Sequence, residues 1–111
     1  MIEALYGIEF ISKTDEGYGV VVLETDRIFG GDSSFVYVGK YLLVNNLMEV
    51  DVKCVNYRGV LESIFGNLKE FNLYLSGKTD DEHKEFMLEG YMIENRSKTL
   101  QVKLTRIAEL P

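Results

Sequence analysis

Apolar and polar residues alternate along most of this chain with the two-residue period of half-buried β-strands. Leu5 to Ser12 sets Tyr6, Ile8 and Phe10 on one face and Glu9 on the other. Gly17 to Glu24 is a β-rich run through Val20, Val21, Val22 and Leu23, and the residues before it, Thr14-Asp15-Glu16-Gly17, read as a turn. Arg27 to Gly30 is a short third strand, entered around Thr25-Asp26. Phe35 to Val44 places Phe35, Tyr37, Gly39, Tyr41 and Leu43 on one face. Val36, Val38 and Leu42 lie on the other, interrupted by Lys40. Asn45-Asn46 signals a hairpin, because asparagine tolerates positive φ.

Leu47 to Val55 has the clearest alternation. Met48, Val50, Val52 and Cys54 oppose Glu49, Asp51 and Lys53. Lys69 to Ser76, Lys84 to Ile93 and Thr99 to Ile107 continue it, with Phe71, Leu73 and Leu75, then Phe86, Leu88, Gly90 and Met92, then Leu100, Val102 and Leu104 on the apolar faces. One segment departs from the period. After Tyr57, the residues Val60, Leu61, Ile64 and Phe65 fall on one helical face, with Asn56 and Gly66 as end caps. The reading there is a short helix or an irregular loop near residues 57–66.

The whole is an all-β chain, residues 1–111 as one domain, with about eight antiparallel strands joined mostly by short turns. Such a meander removes its exposed edges by closing into an up-and-down barrel. Eight strands leave an interior filled by side chains, or room for one small ligand. Phe10, Tyr37, Tyr41, Phe71 and Met92 are the candidates for lining such a cavity. Inward glycines such as Gly39 and Gly90 either relieve crowding or permit a strong bend.

Composition narrows the function classes. With 111 residues and 46% hydrophobic content, the chain suffices for one core. A net charge of −6 argues against nucleic-acid binding, which needs clustered lysine and arginine. Cys54 is the single cysteine, so no internal disulfide forms. No signal peptide and no stretch long enough to span a bilayer is visible, so the expectation is a cytoplasmic protein without membrane association.

Candidate chemistry is sparse. Gly17-Tyr18-Gly19 begins a dinucleotide fingerprint that fails at Val22. Asp80-Asp81-Glu82-His83 gathers oxygen ligands beside the single histidine, yet reads as a solvated hairpin tip, so no metal site is assigned. Cys54 on an apolar strand face and His83 in a polar turn do not form a nucleophile and base, so no catalytic residue and no cofactor are assigned. Asn95-Arg96-Ser97 matches a glycosylation sequon but reads as an ordinary turn. Val36, Val38 and Leu42 would lie outside a barrel and are the interface candidates, unless a loop or the Tyr57 to Phe65 segment covers them.

The assembled pattern, over essentially the whole chain, carries a family likeness. Gly7, Ile8 and Phe10, then Gly17 and Gly19, then Gly30-Gly31-Asp32-Ser33 followed by Tyr37, Gly39 and Tyr41, and later Ser63-Ile64-Phe65-Gly66, Phe71, Leu73, Leu75, Gly77, Gly90 and Leu104-Thr105-Arg106 make the chain resemble the GrlR-like family of type III secretion negative regulators. The resemblance implies a lipocalin-like eight-stranded barrel with an apolar interior, a homodimer, and a regulator that sequesters a transcriptional activator through a surface run of acidic residues. At that place this chain has Val44-Asn45-Asn46-Leu47, so no residue inherits the activator contact. The Gly30-Gly31-Asp32 motif has a physical reading of its own. The glycines permit positive φ and Asp32 bonds backbone N–H groups, turning the chain sharply. The reading is a non-enzymatic barrel acting through protein contacts. The alternative is a carrier or sensor of a small apolar ligand.

Overall fold

The computed structural model describes residues 2–13, 16–58 and 69–111. Eight antiparallel strands follow in chain order: β1 (Ala4–Ile11), β2 (Glu16–Glu24), β3 (Arg27–Gly31), β4 (Phe35–Val44), β5 (Leu47–Asn56), β6 (Glu70–Lys78), β7 (Glu85–Met92) and β8 (Asn95–Ala108). Each pairs with its neighbour in sequence, and β8 pairs back onto β1, so the sheet closes into a barrel. Closure gives the outer strands partners for backbone groups that an open sheet would leave unpaired.

The expected helix or loop at 57–66 lies outside the described residues, apart from a bend at Tyr57 and Arg58. Asn56 belongs to β5, and its side-chain oxygen accepts the Arg58 N–H at 3.1 Å. The Thr14-Asp15 part of the first expected turn is also outside the description, whereas Glu16 and Gly17 already belong to β2. The last strand starts at Asn95, four residues earlier than its alternation indicates, so the sequon sits in a strand rather than a turn. Glu94 explains the shift. Its carboxylate accepts the Asn72 backbone N–H at 2.9 Å and the Asn72 amide at 2.6 Å, which pins the tight β7–β8 hairpin against β6.

Two hairpins need left-handed backbone. Thr25 and Asp26 (φ 45° and 67°) join β2 to β3, and Asn45 and Asn46 (φ 52° and 65°) join β4 to β5. Paired positive φ at two-residue loops matches the right-handed twist of the flanking strands.

The apolar faces turn inward, except the second apolar face of β4, where Val36, Val38 and Leu42 stay exposed. Tyr6, Leu23, Met48, Val50, Cys54, Leu88 and Leu104 are almost wholly buried. Aromatic edges meet across the interior: Tyr6 on Phe86 at 5.7 Å, Phe10 on Tyr37 at 5.5 Å, and Phe35 on Phe71 at 5.5 Å between centroids. The barrel is flattened, with extents of 37 × 29 × 20 Å. At Gly30, Gly39 and Gly90 the neighbouring strand comes too close for a side chain. A methyl at Gly39 would lie 2.0 Å from the Asp51 carbonyl oxygen, at Gly30 2.0 Å from that of Val20, and at Gly90 1.8 Å from that of Tyr74. The inward glycines therefore relieve crowding, because the neighbouring backbone occupies the space of a side chain.

Candidate functional site

All five cavity candidates point inward and are buried: Phe10, Tyr37, Tyr41, Phe71 and Met92. Among the described residues they enclose no ligand-sized space, and a void of about 30 Å³ lies in the interior, lined by apolar side chains that include Ile8, Phe10, Tyr37, Leu73 and Leu88. That is about the share of liquid volume of one water, and far below the roughly 300 Å³ at which small-molecule pockets begin. Tyr41, Phe71 and Met92 are not among its lining residues. Phe71 is tilted against Phe35 instead. Among the described residues, the bulky inward side chains fill the barrel.

The glycine–glycine–aspartate motif works differently from its sequence reading. Gly30 and Gly31 end strand β3, and neither adopts a left-handed φ. Gly30 is glycine because of the close approach of Val20. Asp32 does the turning. Its Oδ1 accepts the Ser34 N–H at 2.8 Å and the Phe35 N–H at 2.7 Å, and its own N–H donates to the Phe35 carbonyl at 2.9 Å. The other carboxylate oxygen accepts the buried Tyr37 hydroxyl. Burial, reinforced by this carboxylate, pushes the Tyr37 phenol far above its ordinary range. Gly19 makes room for the pair, since a methyl there would come within 3.3 Å of both the Asp32 Cβ and the Tyr37 hydroxyl. The Asp32–Tyr37 link was not legible in the alternation, which shows which face Tyr37 takes but not what its hydroxyl meets.

The residues considered for chemistry are placed apart. Cys54 lies in the layer of Tyr37 and Phe71, and burial pushes its thiol up to about 12. A buried neutral thiol is inert as a nucleophile. His83 stands toward the opposite end, where its carbonyl accepts the Tyr6 hydroxyl at 3.4 Å. Its reading as a solvated turn residue needs correction. The backbone turns there with φ 55°, but both ring nitrogens are shielded from solvent without a hydrogen-bond partner. The neighbouring acids have local duties: Asp80 accepts the Lys84 N–H, Asp81 accepts the Asn46 amide, and Glu82 pairs with Lys84.

The outer surface is where exposed apolar groups collect. Cross-strand register sorts them into rows. One row runs Leu5, Val22, Phe29, Val38 across β1 to β4, and the next runs Gly7, Val20, Gly31, Val36. Val38 is 60% exposed, Val20 45%, and Phe29 and Val36 37% each. The block ends at a third row, Glu24, Arg27, Lys40, Asp51, which is fully charged. Val36 and Val38 thus belong to one four-strand patch, together with Val20 and Phe29. Leu42 does not. It lies beyond the charged row, in the Val44–Leu47 hairpin region, where Val44 and Leu47 are also exposed. The sequence showed the stripe along β4, but its lateral partners on β2 and β3 depend on register.

Compared with known proteins, the chain matches no family model and no curated protein.

Proposed function

We propose that this barrel is a non-enzymatic binding protein that works through protein contacts on its outer β1–β4 face, and that it serves as a regulator by holding a partner there. The observation that carries the reading is the placement of apolar surface. The interior is packed around a void of about 30 Å³, while Val20, Phe29, Val36 and Val38 form a contiguous exposed block. Water gains nothing from solvating such a block, and contiguous apolar patches on folded chains mark contact sites. The inert thiol of Cys54 and its separation from His83 support a binding role over nucleophilic chemistry. The likeness to the GrlR-like family adds the regulatory part of the proposal.

The test compares the purified chain with Val38→Asp. Native mass spectrometry is expected to give the mass of the bare polypeptide, and the wild type is expected to bind an apolar-surface dye more strongly than the variant. Cross-linking in extract should yield protein adducts that Val38→Asp loses. A stoichiometric small molecule in the native spectrum, or adducts indifferent to the substitution, would overturn the reading.

A further inference from the structure

We propose that the outer face of β6–β8 carries a second binding site, an open groove that takes a neutral carbohydrate. The groove has a volume of about 550 Å³ and shares no residue with the block of Val20, Phe29, Val36 and Val38. Strand register explains what lines it. One row across β6, β7 and β8 is Tyr74, Tyr91 and Thr99, and the next is Ser76, Glu89 and Gln101. Neighbouring strands lie about 4.8 Å apart and same-face residues about 7 Å apart, so the six side chains cover roughly 10 × 7 Å. Ile11 at the end of β1 and Lys13 just beyond it close the far side.

The two tyrosines supply the apolar part. Their rings are half-buried and lie 5.6 Å apart at 41°. Each is held before any ligand arrives. The Tyr74 hydroxyl donates to Glu49 at 2.9 Å, and the Arg96 guanidinium lies over the Tyr91 ring at 4.9 Å. Rings already fixed in place lose little freedom on binding. An aromatic face carries partial negative charge, and a sugar ring offers it a face of weakly positive C–H groups.

The polar part selects a neutral partner. Glu89 accepts hydrogen bonds, Lys13 donates them, and Ser76, Thr99 and Gln101 do both. Among the described residues Glu89 and Lys13 have no ion-pair partner, whereas the nearby Glu49, Glu85 and Glu94 are each engaged. One acid and one base give the lining no net charge, so Glu89 opposes an anion and Lys13 opposes a cation. An apolar ligand would leave the lining's polar groups unpaired. Carbohydrate hydroxyls, each donor and acceptor at once, match them. An open groove covers only part of its ligand and holds it weakly, so the chain is expected to purify bare.

The test presents the folded chain to a printed array of neutral, sialylated, sulfated and amine-bearing oligosaccharides. The chain is biotinylated after Pro111 and loaded on fluorescent streptavidin, so that several copies act together and weak binding is seen. Neutral glycans are expected to bind. Tyr91→Ala should lower the signal about tenfold, and Tyr91→Phe, which keeps the ring, should stay within about threefold of wild type. Gln101→Ala should weaken binding several-fold. Gln101 is exposed, so this variant decides the test if circular dichroism shows the Tyr91 change to disturb folding. Val38→Asp should bind as wild type does. Raising salt from about 50 mM to about 500 mM should leave binding unchanged, because a neutral sugar brings no charge to screen. No signal from any neutral glycan overturns the inference. So does binding confined to the sialylated and sulfated glycans, or to the amine-bearing ones. Binding that survives both Tyr91→Ala and Gln101→Ala lies elsewhere and overturns it as well. Loss with Val38→Asp alone would put the sugar on the β1–β4 face and refute the groove. The protein-contact reading of that face is judged separately, by its cross-linked partners.

Discussion

Replacing Gly39 with alanine tests whether the close approach of β4 and β5 is what requires glycine there. In an ordinary strand this change is favourable by about 0.4–1 kcal/mol, because alanine has less freedom to lose on folding. Here the new methyl would sit 2.0 Å from the Asp51 carbonyl oxygen and 2.7 Å from Val52 Cα. Carbon and oxygen rest in contact at about 3.3 Å, so β5 must retreat by about 1.3 Å. Both obstacles are backbone, so no rotamer change relieves them. A retreat of that size stretches neighbouring ladder bonds past hydrogen-bonding distance. Losing about two of them at roughly 1 kcal/mol each, plus overpacking of about 1–3 kcal/mol, gives a net loss near 3 kcal/mol. For a chain of this length that lowers the midpoint of thermal unfolding by roughly 12 °C. Gly7→Ala is the internal control. Its methyl meets the tip of Ile107 at 2.9 Å, and that side chain is 59% exposed and free to turn aside. It should fall within about 0.5 kcal/mol of wild type. Thermal and urea unfolding of dilute protein, followed by circular dichroism, measure both. If Gly39→Ala is no less stable than Gly7→Ala, the close approach of β4 and β5 does not explain the glycine.

Asp32→Ala removes the acceptor of two backbone N–H groups and the Tyr37 hydroxyl and should cost about 3 kcal/mol in urea unfolding, against about 1 kcal/mol for Tyr37→Phe; equal losses would show that Asp32 does not organise the turn. Leu88→Ala, at a side chain bordering the void, should cost about 2–5 kcal/mol and create a site for xenon or benzene that the wild type lacks; uptake by the wild type would contradict a filled interior. Burial holds the Cys54 thiol and the Tyr6 phenol each at about 12, so the folded chain keeps protons that the unfolded chain releases from about pH 8.5 and about pH 10. Stability is then full below about pH 8.5 and falls as pH rises toward 12, and urea midpoints that stay level from pH 8 to 11 would refute this. In native protein at pH 8 Cys54 should resist thiol reagents and react only on unfolding.

The number of strands and their inward faces were legible in the alternation, because a period of two records which side of each strand is apolar, and closure followed from a short-turn meander that would otherwise expose its edges. Tyr6, Ile8 and Phe10 or Met48, Val50 and Val52 can point only one way once a core exists. The sequence also determined the Asn45-Asn46 hairpin, since the side chains that tolerate positive φ are written at the turn. The start of β8 was hidden, because Glu94 fixes that hairpin by bonding Asn72 across β6, a contact between residues distant in sequence. The role of Gly30 was hidden for the same reason: glycine is permitted both where φ is positive and where another backbone comes close, and only the position of Val20 decides between them. His83 read as polar and therefore solvated, whereas the fold sets its ring nitrogens out of reach of water. Only packing across the barrel shows that, among the described residues, the inward aromatics fill it. The tertiary structure also decided that Val36 and Val38 join Val20 and Phe29 while Leu42 is cut off by Arg27 and Lys40. Alternation assigns a residue to a face, but a surface is two-dimensional, and its second dimension is set by the register of hydrogen-bonded strands.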